Sequence, residues 1–278
     1  MANYKITVLE ISTKTVGGEF YFGGFVPASE TFPNPFSFTL LQGAGKTILI
    51  DCGIDLRDPT KAAIFGACGA QNGHGPVEVL ATVGVKPEEV DAVILTHAHF
   101  DHASGIDCFP NSQFYLQRKE LEGWQEIRNH PKYAALPFFC MDMSDVERLE
   151  KLEKAGRLTL LDGDVEDLFP GISVYSVGFG HSFDLQMVMV DTEKGKFLHT
   201  GDACNRPENL LGTESFPFYL PNTDFAVGPA LNIVRGFDRI MELVHGDVTH
   251  LIMTHDDTRR DLFPWHKSEL GLSIFEIC

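Results

Sequence analysis

The sequence predicts a layered α/β fold, and three features carry that prediction. Short segments rich in β-branched residues and bounded by Gly, Pro or Asp recur along the whole chain, which is how strands read. Stretches of helical apolar spacing alternate with them. Two strand-rich halves flank a helix-rich middle, with no internal period of ~20–50 residues and no Ser/Gly-rich linker, so one layered domain over residues 1–278 is expected and an array of repeats is excluded.

Taken in order, the chain opens with sheet. YKITVLE (4–10), SFTLL (37–41), KTILID (46–51) and DAVILT (91–96) are short, β-branched and punctuated. PVEVLATVGV (76–85) carries apolar residues at near-helical spacing, and the KPEEV that follows resembles a helix start. A strand at SQFYLQ (112–117) then leads into helices at RKELEGWQEI (118–127) and SDVERLEKLEKAG (144–156), which form a helical insertion over about 118–156. Strands return at RLTLLD (157–162), GISVYSV (171–177), LQMVMVD (185–191), GKFLHTGD (195–202) and VTHLIMTHD (248–256), with a helix at ALNIVRGFDRIMELV (230–244) before the last. The Pro/Phe-rich stretch FPFYLPNTDFAVGP (216–229) reads as a loop whose aromatics can wall a pocket.

At 278 residues, 44% hydrophobic and 22% charged, the chain can bury a core, and neither a disordered chain nor a fibre fits. Lys+Arg 22 against Asp+Glu 39 gives a formal charge of −17, which repels phosphate backbones and excludes nucleic acid as the expected partner. The longest apolar runs, such as Thr47–Ile50 and Ala92–Leu95, are strand-sized and far from the ~20 residues a bilayer span needs, so no membrane partner is expected. MANYKITVLE lacks the pattern of a secretory signal, and the expected location is the cytoplasm. There the six cysteines, scattered without a C-x-x-C pair, are expected as free thiols and supply no thiol ligand set. The expected partner is a small-molecule substrate; a homodimer is the assembly left open.

The informative segment is LTHAHFDHASG (95–105). A strand ends and delivers His97, His99, Asp101 and His102 within six positions, where the backbone leaves the sheet and side chains can converge. Neutral imidazoles and a carboxylate suit a borderline divalent cation, Zn²⁺ first, with Mn²⁺, Fe²⁺ or Co²⁺ as other occupants of the same set.

Those residues resemble the signature of the metallo-β-lactamase superfamily, H-x-H-x-D-H after an apolar strand, and match it in full. The family's later ligands have counterparts in the same order: Gly180-His181, Gly201-Asp202 and Thr254-His255. Ile48 to Gly53 is similar to the family's L-I-D-T-G turn, with Cys52 in place of Thr. The resemblance spans roughly residues 36–257 and implies a four-layer αβ/βα sandwich, two mixed sheets face to face with helices outside. It also implies two divalent metal ions. His97, His99 and His181 would hold one, Asp101, His102 and His255 the other, and Asp202 would bridge them. Two cations ~3.5–4 Å apart pull the pKa of a bridging water toward neutrality and polarise a carbonyl. The implied activity is therefore hydrolysis, the opening of a lactone ring by a metal-bridging hydroxide with Asp101 as proton carrier.

Within the superfamily the chain is most similar to the N-acyl homoserine lactone lactonases and related small-lactone hydrolases, through its length, the phrase H-F-D-H-A-S-G, the inserted helices and the C-terminal T-H-D. Class B β-lactamases carry Cys where Asp202 stands, the nuclease branches need a basic surface, and glyoxalase II ends in a basic segment absent after Val248. Two departures bear on substrate. The branch's G-H-S/T-P-G-H-Q reads Gly180-His181-Ser182-Phe183-Asp184-Leu185-Gln186 here, and its Tyr three positions after the bridging Asp is Asn205. Asn205, or Tyr219 from the aromatic loop, would then supply the hydrogen bond to the carbonyl or leaving group. Hydrolysis of another small ester, thioester or cyclic amide is the alternative on the same site. A mononuclear-iron oxygenase of the persulfide dioxygenase type is opposed by the complete Asp101, His102, His255 set, and a non-catalytic binding protein by all seven ligands together.

Further residues are weighed individually. His199 can orient a ligand from its strand, Arg206 can pair with a substrate carboxylate, and His74 and His266 read as surface residues. His130, His245 and His250 carry no spacing signal. The Phe-rich stretches EFYFGGF (19–25) and FPNPF (32–36) belong to a segment that in this family covers the active-site face, where they would form an apolar wall.

Overall fold

The computed structural model describes residues 3–133, 140–223 and 225–278. In chain order, β1 (Tyr4–Gly17), α1 (Gly18–Phe22), β2 (Thr31–Gly43) and β3 (Lys46–Ile50) come first. Helices α2 (Pro59–Ala67) and α3 (Pro76–Ala81) lead to β4 (Ala92–Ile94), and the single turn α4 (Phe100–Ala103) to β5 (Gln113–Gln117). Helices α5 (Arg118–Asn129) and α6 (Met143–Lys154) precede β6 (Leu158–Leu161); residues 134–139 of the expected insertion lie outside the described residues. The second half runs β7 (Val165–Phe169), β8 (Ile172–Gly178), β9 (Leu185–Thr192), β10 (Gly195–His199), α7 (Pro207–Leu211), α8 (Ala230–Leu243) and β11 (Leu251–Ile252), and closes with β12 (Trp265–Lys267) and β13 (Ser273–Glu276).

Two mixed sheets result. The larger has the order β12-β13-β1-β2-β3-β4-β5-β6, antiparallel up to β3 and parallel from β3 to β6. The smaller, β11-β10-β9-β8-β7, is antiparallel except for β10 with β11. The pleat decides which layer each residue joins. Ile48, Ile50, Ala92 and Ile94 point into the core shared with Val174, Val188 and Val190 of the smaller sheet. Leu49, Val93 and Leu95, one residue out of phase, pack instead against Phe65, Leu80, Leu121, Trp124 and Leu149 of the helices on the outer face. On the other side Met187, Met189 and Leu198 meet Ile233, Phe237 and Ile240 of α8. The four layers are therefore helices, sheet, sheet, helices, as the sequence resemblance implies.

Three strands, β7, β12 and β13, lie where the sequence reading placed none, and several others differ from expectation in length. β1 and β2 form a hairpin of 14 and 13 residues that continues beyond the core, with Thr13 to Gly17 paired to Pro35 to Thr31. The prolines in FPNPF disguise that arm. They are tolerated because β3 pairs β2 only from Thr39 onward, so the opposite edge of the arm needs no ladder N–H. The expected strand over 248–256 is regular only at Leu251–Ile252. Beyond it the carbonyls of Met253, Thr254 and Asp256 accept from the buried Arg259 guanidinium, Thr254 O also from Ser37 Oγ of β2 at 2.7 Å, and the chain turns inward at His255. Helix α2 carries a start signal that the sequence reading passed over, Asp58 capping Thr60 N at 2.9 Å with Pro59 at the first position.

Candidate metal centre

The sandwich gathers the chemistry-bearing residues at one edge, where β3, β4, β10 and β11 all end. The backbone leaving β4 places Thr96, His97 and His99, and α4 adds Asp101 and His102. The turn from β8 to β9 contributes His181, the turn after β10 contributes Asp202, and the segment after β11 contributes His255. All seven of His97, His99, Asp101, His102, His181, Asp202 and His255 are buried, none more than 8% exposed.

Their ligand atoms fall into three groups whose members lie within 4.8 Å of one another: His97, His99 and His181; Asp101, His102 and His255; and His97, His102 and Asp202. The Asp202 carboxylate stands between the first two. Its Oδ2 is 3.4 Å from His181 Nε2 and 3.2 Å from His255 Nε2, and its Oδ1 is 3.3 Å from His102 Nε2. Asp101 Oδ2 lies 3.4 Å from His255 Nε2 and 3.5 Å from His102 Nε2.

Hydrogen bonding tests whether this set fits a cation. Buried and without a hydrogen-bond partner are His97 Nε2, His99 Nε2, His102 Nε2, His181 Nδ1 and Asp202 Oδ1. His99 Nδ1 and His181 Nε2, the other nitrogens of those two rings, face each other at 3.1 Å. Unsatisfied buried polar atoms each cost ~1–3 kcal/mol, and His97 Nε2, His102 Nε2 and Asp202 Oδ1 together are a folding penalty unless their lone pairs are used. Divalent cations use them, so nitrogen and carboxylate donors in this arrangement fit a metal pair. For the first triad protonation points the same way. Burial holds His97 and His99 well below the ordinary imidazole range and His181 at about 4, so all three are neutral donors at pH 7. Burial also acts to lower His102 and His255, but the neighbouring carboxylates, Asp202 foremost, outweigh it and raise both.

A second layer fixes the orientation of these rings. Asp51 sits in the turn after β3 at φ +62, a left-handed conformation uncommon for a non-glycine residue. That turn lets its carboxylate accept from Thr96 N at 2.7 Å and contact His102 Nδ1 at 2.7 Å, leaving His102 Nε2 to face the centre. His255 Nδ1 donates to the Pro35 carbonyl at 2.7 Å with the same effect. His199 Nδ1 accepts from Gly201 N at 3.1 Å and so holds the turn that presents Asp202, the orienting role considered from the sequence. Glu120, fully buried on the first turn of α5, accepts from Ala98 N (2.9 Å), Trp124 Nε1 (2.9 Å) and Ser182 Oγ (2.6 Å) at Oε1, and from Asp184 N (2.9 Å) at Oε2. One carboxylate thus ties the His97–His99 segment to the His181 turn. Burial pushes its pKa up while these four donors pull it down.

A narrow cavity reaches His99, Asp101, His181, Asp202 and His255. Phe20, Phe36 and Phe225 wall it, as the Phe-rich stretches and the aromatic loop suggested, and Lys14, Asn34 and Asn205 add polar groups. Asn205 is buried, with its Oδ1 unpartnered. Tyr219 is a correction: it is not among the lining residues. Its ring packs on Phe237 at 5.6 Å, and its phenol faces the Asp238 carboxylate, which with burial raises its pKa. Arg206 is occupied too, paired with Asp257 and Glu208 and lying over the Tyr21 and Phe32 rings, so it is not free for a substrate carboxylate. His74 contacts Glu78 and Asn72, and His266 is exposed on β12. The sequence reading missed the roles of Glu120, Asn34 and Lys14. A lone Glu, Lys or Asn carries no spacing signal, whereas Asp51, within the L-I-D-T-G-like turn, and His199 were marked in advance.

Comparison with known proteins agrees with this geometry. An N-acyl homoserine lactonase of Bacillus cereus is 30% identical over 181 residues, 65% of this chain and 61% of that protein's own length. A second N-acyl homoserine lactonase, from a Bacillus species, is 29% identical over 226 residues, 78% of this chain and 79% of its own. Among solved structures, a dizinc quorum-quenching lactonase in complex with a product superimposes with a TM-score of 0.68 at 14% identity, covering 97% of this chain and 92% of that one. The sequence profile of the metallo-beta-lactamase superfamily matches residues 34–242, from the β1–β2 arm through α8. With that match over most of its length and the four-layer sandwich around the His/Asp cluster, the chain belongs to the metallo-β-lactamase superfamily.

Proposed function

We propose that the chain is a two-metal hydrolase that opens lactone rings. The observation that carries this reading is two triads of buried His and Asp side chains on either side of Asp202, with His97 Nε2, His102 Nε2 and Asp202 Oδ1 left without a hydrogen-bond partner. His97, His99 and His181 would hold one ion and Asp101, His102 and His255 the other, with Asp202 serving both. Zinc is our assignment, because a buried, nitrogen-rich set of mixed imidazole and carboxylate suits it. When bound, such ions activate water near neutral pH and polarise an ester carbonyl. The relatives named as lactonases supply the substrate class.

The chain's own residues do the rest. Asp101 is the most exposed of the seven and lines the cavity, where its carboxylate can take the proton of the attacking water and return it to the departing ring oxygen. The Asn205 amide lines the same cavity and donates to the carbonyl or the leaving oxygen, the place a Tyr would take in the lactonase branch. Phe20, Phe36 and Phe225 exclude water around the ring. We place the protein in the cytoplasm: all six cysteines are free thiols, as a reducing compartment keeps them. Among the described residues no helix is long and apolar enough to cross a membrane.

Proton release in a pH-stat from metal-replete protein, across lactones, linear esters, thioesters and cyclic amides, tests the reading. Acid release from lactones that stops on chelation is the expected result. Release from thioesters or amides with lactones inert would overturn the substrate class.

A further inference from the structure

The cavity holds one cation that no carboxylate answers. Lys14, on the outer arm of β1, has its Nζ 4.8 Å from the ring centre of Phe20, 5.3 Å from Phe36 and 5.7 Å from Phe225. The Cys68 thiol also lies within its field, and no Asp or Glu among the described residues pairs with it, in a chain with a formal charge of −17. Asn34 stands directly opposite Lys14 in the β1–β2 register, so the two side chains share one face of the hairpin. Asn34 is fully buried, its Oδ1 takes the Tyr21 hydroxyl at 2.8 Å, and its Nδ2 donor has no partner. Both residues line the cavity that reaches the His/Asp cluster. The Phe36 ring stands 5.4 Å from that of His255 and 5.3 Å from Lys14 Nζ, and so joins this cation to the candidate metal centre.

We propose that Lys14 and Asn34 form an anion subsite, and that the substrate is a lactone carrying a carboxylate on the side away from the scissile ester. The inference rests on the lactonase reading and sharpens its substrate class. Aromatic walls strip water from the ammonium, so its attraction for a carboxylate is less screened than at an open surface. An uncharged acyl chain in the same place would cover Lys14 and leave it unpaired, which a buried charge resists. A flat apolar ring between carboxylate and ester would lie against Phe20, Phe36 and Phe225.

The test uses two near-isosteric aromatic lactones, phthalide-5-carboxylate and phthalide-5-carboxamide, each rate normalised to its hydrolysis by hydroxide alone. Wild-type protein should favour the carboxylate by about 10- to 100-fold in kcat/KM, Lys14→Met should bring the ratio within about threefold of unity, and Lys14→Arg should keep most of it. A wild-type ratio near unity, or a ratio unchanged in Lys14→Met, overturns the subsite. Calorimetric binding of the unreactive cyclic ether phthalan-5-carboxylate, at equal metal content in each variant, separates the two readings. If neither lactone turns over but the ether binds in a Lys14-dependent way, the lactonase reading fails and the subsite stands. If both lactones turn over without charge preference and the ether binding ignores Lys14, the subsite fails and the lactonase reading stands.

Discussion

Replacing Glu120 by glutamine changes one atom's chemistry and almost no volume, yet it strikes the joint between the two His-bearing segments. The carboxylate accepts four hydrogen bonds, three at Oε1 and one at Oε2. A glutamine keeps one oxygen. Placed toward Ala98, Trp124 and Ser182, it leaves its NH₂ group facing the Asp184 N–H, a donor against a donor in a fully buried site. The loss is one charge-assisted bond and one satisfied backbone group, together about 2–4 kcal/mol, and the flipped amide loses more. Because Ala98 lies between His97 and His99 and Ser182 follows His181, the strain falls on the candidate ligands, and metal affinity should drop about 10- to 100-fold. Guanidinium unfolding of the metal-free protein measures the first figure, and competition with a chromophoric chelator the second. A Glu120→Gln protein with wild-type stability and wild-type metal affinity would refute the reasoning.

Four further outcomes are expected. Asp202→Ala should bind markedly less metal by elemental analysis and lose most lactone turnover, since its carboxylate faces both triads; two tightly held ions and full turnover would remove it from the centre. Asn205→Ala should lower kcat/KM by about 10- to 100-fold if its amide donates in the transition state, and an unchanged value would make it a bystander. Gly201→Ala should cost about 2–4 kcal/mol, because at φ +53 its Cβ would stand 2.8 Å from Thr96 Cβ; a melting temperature within about 2 °C of wild type contradicts this. The Arg128 guanidinium, hydrogen-bonded to Glu150 at 2.7 Å, holds that carboxyl below its ordinary 4.5. A depressed carboxylate stabilises the fold above the unfolded value and loses that contribution as pH falls through the folded one, so acidification below about 4.5 should cost wild type up to about 1 kcal/mol more than Arg128→Gln. Equal acid sensitivity of the two proteins would show that the α5–α6 pair contributes nothing.

The cluster was legible because metal ligation concentrates rare residue types at strand ends: four ligand-type side chains between His97 and His102 have no ordinary surface or core explanation. His181, Asp202 and His255 were legible only through their order and the glycines or strand ends beside them. The central strands were legible as short apolar runs, Ile48 to Ile50 and Ala92 to Leu95 among them, whose successive residues the structure divides between the two faces of the sheet. What escaped was long-range and polar. Glu120 looks like any solvated helix glutamate, and its burial depends on backbone groups 22 and 64 residues away. The β1–β2 arm hides behind Pro33 and Pro35, and with it the pairing of Lys14 and Asn34. Tyr219 was drawn toward the site by composition, whereas it packs on Phe237 of α8 instead.

Titrating metal-free protein with zinc, while following both bound metal and proton release from one lactone, decides whether the seven side chains form a two-metal lactone hydrolase. The expected curve has turnover rising with occupancy and levelling off at two ions per chain, with the ring-opened hydroxy acid as the sole product. Saturation at a single ion without lactone turnover, or two bound ions with no acid released, would contradict it.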